Sequence, residues 1–321
     1  VKFLVDLRAE LLPLAKKDPK LKAMEHDLRD LLASWFDVDF LELRQIAWDS
    51  SSASLLEKLI AYEAVHAIDG WEDLKNRLDS DRRCFAYFHP RMPDEPLIFV
   101  EVALVNGMAA NVQALLDTDA PASDPATADT AIFYSISNAQ KGLAGISFGN
   151  FLIKNVVQHL SGEFPNLKTY ATLSPIPGFR RWLDEIMAEG EPKLFSAEER
   201  KALNAASGRK GGAKGSLLAA LDSPTWIKDQ KTVAALQGPL TRLAARYLAK
   251  EKGRGRRARD PVAHFHLSNG ARLERLNWLG DTSDKGLAQS AGLMVNYLYD
   301  LNRIENNHEA YTLNGSVDTS S

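Results

Sequence analysis

Hydrophobic positions change their period near residue 79, and the two regimes predict different architecture. Leu4, Leu7, Leu11, Leu12 and Leu14 recur at roughly every third or fourth residue, as do Leu21, Met24, Leu28, Leu31, Leu32 and Trp35. A third stripe, Leu55, Leu56, Leu59, Ile60 and Tyr62, lies between Ser54 and Val65. Such spacing lines one face of an α-helix. Residues 1–78 are therefore expected to form an all-helical bundle domain with no strand between its helices. The stripes carry more apolar surface than so small a bundle buries, which points to packing against another subunit.

Beyond residue 79 the apolar runs shorten and fill with aromatic and β-branched residues. FAYFHP (85–90) and LIFVEVALV (97–105) predict two strands joined by the loop RMPDEP. Asp117–Asp129 is rich in Asp, Pro, Ala, Ser and Thr, the composition of a surface loop. AIFYSIS (131–137), a glycine-bearing loop, NFLIKNVVQHL (150–160) and TYATLS (169–174) then read as strand, loop, helix and strand. That order is a parallel crossover unit. Residues 179–250 are expected to be helical apart from the loop GRKGGAKG (208–215). The basic run KEKGRGRRARD (250–260) comes next, then strands at VAHFHL (262–267) and ARLERLNW (271–278). A helix from about Lys285 to Asn302 and a fraying polar tail complete the chain. The expected class is α+β, with a helical domain at 1–78 and an α/β domain at 79–321.

Composition narrows the function. Lys plus Arg is 39 against 42 for Asp plus Glu, so the chain carries no global charge of the kind that binds nucleic acid. Cys84 is the one cysteine, which excludes an internal disulfide, and no Cys/His cluster has zinc-ligand spacing. Neither a metal nor any other cofactor is expected. The longest apolar run, Leu97–Val105, is broken by Glu101 and falls short of the roughly 18 residues a membrane span needs. The start, VKFLVDLRAELL, lacks the form of a secretory signal. A soluble protein of a reducing compartment, cytoplasmic or in the mitochondrial matrix, is expected. Glu101 is read as an edge-strand residue facing water.

Three segments carry candidate chemistry. In the loop Gln140–Asn150, Gly142, Gly145 and Gly149 stand between a strand and a helix N-terminus. Backbone N–H groups there can approach a phosphate, and the helix end favours negative charge. The loop is neither a P-loop nor a dinucleotide fingerprint, and a plain tight turn accounts for it equally well. Ser174-Pro175-Ile176-Pro177-Gly178 makes a stiff turn at the carboxyl end of a strand, the place where ligands bind in open α/β sheets. Ser174 either faces a ligand there or bonds the turn backbone. His264 and His266 share one face if their segment is a strand, and a general acid or base fits them better than a metal. The remaining histidines, His26, His66, His89, His159 and His308, are read as structural or solvated, while Arg254, Arg256, Arg257 and Arg259 form a solvated loop or neutralise a phosphate. Asn277-Trp278 and Asn296-Tyr297 line a pocket or complete the core.

AIFYSISNAQKGLAGISFGNFLIK, LSPIPGFRRWL, PVAHFHLSNGARLERLNW and GLAQSAGLMVNYLYDL together resemble the malonyl-CoA decarboxylase family over nearly the whole chain. The N-terminal VKFLVDLRAELL, Ser34-Trp35-Phe36 and EAVHAI look like that family's helical domain. The resemblance implies a helical oligomerisation domain, short at its N-terminus, and a catalytic domain with the GNAT acetyltransferase fold. It implies malonyl-CoA and acetyl-CoA as ligands, a homotetramer, and a CoA-binding loop at Ala144, Gly145, Ile146, Ser147, Phe148, Gly149 and Asn150. The family's catalytic serine and histidine fall on Ser174 and His266, both also substrate-binding positions. Ser147 departs from the glutamate of animal members. Two alternatives stay open: an acyl-CoA N-acyltransferase on the same fold, and a non-catalytic CoA-binding module.

Overall fold

The computed structural model describes residues 1–36, 40–146, 152–190, 194–207, 212–223 and 225–320, which fall into two compact units. The first comprises Val1–Leu173 with Leu298–Ile304. Its first two leucine stripes become α1 (Lys2–Ala15) and α2 (Pro19–Trp35). Asp18 caps α2 by accepting from the Lys20 N–H at 2.9 Å, and Pro19 takes the first helical position, where a missing N–H costs nothing.

On α1 the buried residues are Val5, Arg8, Leu11 and Ala15, so a cation sits within an apolar face. Every nitrogen of the Arg8 guanidinium is engaged. Nε and Nη2 donate to Glu25 Oε1 at 3.0 and 2.7 Å, Nη1 donates to the Gly142 carbonyl at 2.6 Å, and Nη2 reaches the Ala144 carbonyl at 2.9 Å. Beside this clamp, a Cβ on Gly142 would lie 1.8 Å from the Val5 carbonyl oxygen, so only glycine lets α1 seat on the loop.

The unit's sheet runs β1 (Glu42–Ile46), β2 (Arg82–His89), β3 (Met92–Val105), β4 (Thr130–Asn138) and β5 (Thr169–Thr172). The first four are antiparallel, and β4 and β5 pair in parallel through α6 (Leu152–Glu163), the crossover predicted from the pattern. The third leucine stripe forms α3 (Ala53–Tyr62), followed by α4 (Trp71–Arg77). Leu56, Leu59 and Leu74 of these helices join Ile46, Phe88 and Phe99 of the strands in one core. A single turn, α5 (Val112–Leu115), precedes the long loop to β4.

The second unit, Ser174–Tyr297 with Glu305–Ser321, starts with the short β6 (Ser174–Pro175). Helices α7 (Phe179–Glu189), α8 (Ala197–Ser207), α9 (Gly212–Leu221), α10 (Gln230–Ala249) and α11 (Pro261–Ser268) follow. Then come β7 (Arg272–Asn277), α12 (Asp284–Ser290), β8 (Met294–Leu298) and α13 (Ile304–Asn314). Both β6 and β7 pair with β8, with Ser174 opposite Val295. The rings of Phe179, Trp182 and Tyr247 stack between α7 and α10, the latter two with centroids 5.1 Å apart.

The class, N-terminal helices and then a mixed sheet with helices, is the one expected. Several elements differ. β1 lies inside the stretch expected to hold no strand, because its charged, short alternation Glu42–Ile46 gains its order from pairing with β2. VAHFHL is helical, capped by Asp260 with Pro261 at the first position. The helix expected from Lys285 to Asn302 stops at Ser290; Ala291 and Gly292 turn with φ +53° and +78°, and β8 follows. The tail is held rather than frayed, since α13 covers Ile304–Asn314 and the Ser320 N–H donates to Leu273 at 3.0 Å. Of the loop GRKGGAKG, residues 208–211 lie outside the described residues and Gly212–Gly215 open α9. Glu101 is buried, because β3 has a strand on either side of it. Its carboxylate meets Arg77 Nη1 at 3.2 Å, and burial, reinforced by Glu63 and opposed by Arg77, pushes it up to about 7. Among the described residues no helix is long and apolar enough to cross a membrane.

The Arg8 clamp makes the first testable point. Arg8→Met strips the half-buried Glu25 carboxylate and two carbonyls of their donor, and losing such charge-assisted bonds costs about 2 kcal/mol. Urea melts should register that loss; a variant within about 0.5 kcal/mol of wild type would show that α1 seats without the clamp.

Candidate functional site

Ser174 and His266 are 92 residues apart in sequence, and the second unit brings them into contact. Ser174 opens the turn Ser174–Gly178, whose two prolines restrict φ on either side of Ile176. At the turn's end the Gly178 N–H donates to Asp260 Oδ2 at 3.3 Å. A Cβ on Gly178 would lie 2.2 Å from the Tyr247 hydroxyl, so this approach is open to glycine alone.

His266 sits on α11. Asp260 starts that helix by accepting from the Val262 and Ala263 N–H groups, each at 3.0 Å. One and a half turns on, the imidazole Nε2 meets Ser174 Oγ at 3.1 Å. Its ring stacks on Tyr297, centroids 4.6 Å apart and 24° from parallel, and meets the edge of Phe265 at 5.1 Å. Ser174 is 5% exposed and His266 2% exposed, so the pair is out of water.

Burial sets the charge state. Desolvation pushes His266 from its ordinary 6.5 down to about 3, which leaves a neutral imidazole near neutral pH. Neutral imidazole carries one N–H and one lone pair. Ser174 therefore donates to Nε2 in one tautomer and accepts from Nε2–H in the other. His264 takes no part in this contact. In a helix, positions two apart point to nearly opposite sides, so the shared face expected of a strand is lost. His264 Nδ1 instead meets the Tyr311 hydroxyl at 2.9 Å.

The glycine loop belongs to the first unit. The Ala144 carbonyl is taken by Arg8, and the Ile146 N–H donates to the Leu143 carbonyl at 3.0 Å. Gly145 has φ +76°, and among the described residues nothing lies within 4 Å of where a Cβ would stand. Ser147, Phe148, Gly149 and Asn150 lie outside the described residues. Four of the other candidates, Asn277, Asn296, Arg256 and Arg259, take structural roles. Asn277 Nδ2 donates to Asn296 Oδ1 at 2.8 Å, and Arg275 Nε donates to both amide oxygens, a polar knot between β7 and β8 whose two asparagines are buried. Arg256 bonds the Leu313 carbonyl and Arg259 pairs with Glu185. Among the described residues no three His, Cys, Asp or Glu side chains are grouped to hold a metal ion.

The sequence reading gives no role to Asp260 or Tyr247, takes Gly178 only as part of a stiff turn, and leaves Tyr297 between pocket and core. The Asp260-Pro261 pair was the available signal, since Asp before Pro is a common helix start and would have recast VAHFHL as helix.

Comparison with known proteins gives the family. Residues 39–321 match the model for the malonyl-CoA decarboxylase C-terminal domain, and residues 1–36 that for the malonyl-CoA decarboxylase N-terminal domain. The mitochondrial malonyl-CoA decarboxylases of Anser anser anser and Mus musculus are each 41% identical over 322 residues, 97% of this chain. The chain spans 63% and 65% of those proteins' own length. The crystal structure of malonyl-CoA decarboxylase from Rhodopseudomonas palustris is 47% identical, with a TM-score of 0.90 over 99% of this chain and 74% of that one. The corresponding values for the enzyme from Agrobacterium vitis are 48%, 0.87, 99% and 74%. With both family domains matched in order, and a described backbone that aligns with the solved members over 99% of this chain, the chain belongs to the malonyl-CoA decarboxylase family.

Proposed function

We propose that this chain decarboxylates malonyl-CoA to acetyl-CoA and CO2. The observation that carries the reading is the buried Ser174–His266 hydrogen bond in a chain of this family. Breaking the bond from C2 to the carboxyl carbon leaves its electron pair as an enolate spread onto the thioester oxygen, and a proton then adds at C2. The thioester is the electron sink, so the chemistry calls for no cofactor. The protein must hold the carboxylate out of the carbonyl plane and deliver the proton.

Ser174 orients the malonyl carboxylate and His266 donates the proton. A carboxylate arriving beside a buried neutral imidazole favours its charged form, so His266 takes up its proton with the substrate and passes it on to C2. The loop Ala144–Asn150 holds the CoA pyrophosphate, a role supported by the left-handed φ of Gly145 ahead of a helix. The helices of residues 1–78 join subunits into a homotetramer. In support, α1 and α2 leave Phe3, Leu14, Met24 and Leu31 exposed by 43–74%.

Purified protein given malonyl-CoA and no amine should release acetyl-CoA and CO2 in equal amounts. Acyl transfer that requires an amine, or CoA binding without turnover, would overturn the proposal in favour of an acyltransferase or a binding module. Ser174→Ala and His266→Asn should each lower turnover by about 10²–10⁴-fold with CoA affinity kept. Gly145→Val forces a branched side chain to a positive φ and should weaken CoA and malonyl-CoA binding together. Unchanged affinity would locate the pyrophosphate elsewhere. Sedimentation should find a four-chain species, and single chains at micromolar concentration would contradict the assembly.

A further inference from the structure

The Ser174–His266 contact joins two segments that share no stretch of backbone. One is a five-residue turn and the other a two-turn helix, and something must set the distance between them. We propose that Asp260 is the positioning residue of the pair: one carboxylate oxygen fixes the start of the helix that carries His266, and the other fixes the end of the turn that begins at Ser174.

Asp260 is 0% exposed, and both of its oxygens are engaged. Oδ1 accepts from Val262 and Ala263 at 3.0 Å each, which anchors the first turn of α11. Oδ2 accepts from the Gly178 N–H at 3.3 Å, and the Tyr247 hydroxyl also donates to the carboxylate. Tyr247 is itself wedged in the ring stack with Phe179 and Trp182, so the carboxylate rests against a rigid wall. From Asp260 the path to Nε2 runs through six residues of helix. The path to Oγ runs through Gly178 and the two prolines of the turn. Both arms are stiff, and they close a ring on the 3.1 Å bond between Ser174 and His266. Helix capping alone does not need the second arm: many residues start a helix, yet here the same carboxylate spans to a glycine whose neighbourhood admits no Cβ.

The proposal rests on Ser174 and His266 being the working pair of the decarboxylase. Asp260→Asn separates the two arms. The asparagine oxygen still caps α11, but the amide NH2 on the other side cannot accept from the Gly178 N–H. Displacing reacting groups by about 1 Å costs on the order of 10²-fold in turnover, so kcat should fall by about that factor while KM for malonyl-CoA stays within about twofold. Asp260→Ser also keeps a cap but lacks the reach to Gly178, and should give the same split if the asparagine variant does not fold. A residue that only caps the helix would leave kcat within about twofold in folded Asp260→Asn and Asp260→Ser, and that result overturns the proposal. A loss that appears in KM rather than kcat also overturns it.

Wild-type turnover measured alongside keeps the two readings apart. If the wild-type chain releases no CO2, the decarboxylase reading fails, and crystal structures of wild type and Asp260→Asn still decide the role of Asp260. A Ser174 Oγ to His266 Nε2 separation beyond about 3.5 Å in the variant supports positioning, and an unchanged pair overturns it.

Discussion

Everything proposed for this chain depends on one hydrogen bond kept out of water. Ser174 Oγ and His266 Nε2 meet at 3.1 Å with both side chains at least nine-tenths buried. Burial has two consequences that pull together. It keeps the imidazole neutral, so the bond is reversible in direction, and it strengthens the response of that imidazole to any charge brought beside it. An exposed histidine at the same distance would hold its proton according to solution pH. A buried one holds it according to its neighbours, and in the function proposed above that neighbour is the incoming carboxylate.

The surroundings of the bond follow from that requirement. Tyr297 stacked on the ring and Phe265 at its edge exclude water without adding charge. The carboxylate of Asp260 stands behind the backbone rather than against the imidazole, bonding Gly178, Val262 and Ala263. In the first unit a different buried charge does comparable work. Arg8, on the apolar face of α1, ties the N-terminal helix to the carbonyls of Gly142 and Ala144 just ahead of Gly145. Helices that pattern as a separate domain are thereby stapled to a loop of the sheet that follows.

Local signals in the sequence were largely faithful. The leucine stripes of α1 and α2 and the strand–loop–helix–strand run through β4, α6 and β5 each arise from neighbours in sequence, so periodicity finds them. Misreadings occurred where tertiary context outweighs the pattern. Glu101 looked like a water-facing interruption because an interior strand with its own arginine partner is a property of the sheet, not the strand. β8 is buried along nearly its whole length and its sequence reads as helix, since a strand buried on both faces has no alternation to show. Ser174 and His266 were singled out as residues, but their partnership came from the family resemblance and not from spacing. No periodicity links positions 92 apart. Asp260 was legible only as a helix start, and its second bond, to Gly178, exists only in three dimensions.

The claim at the centre is that His266 is neutral when the site is free and becomes charged when a carboxylate enters. Nitrogen NMR of the His266 ring, assigned by the signals that vanish in His266→Asn, reads this directly. The account predicts a neutral ring throughout the range in which an exposed histidine titrates, and conversion to imidazolium on adding a malonyl thioester analogue unable to lose CO2. Ordinary titration near 6.5 in the free protein, or a ring that stays neutral with the analogue bound, would contradict it.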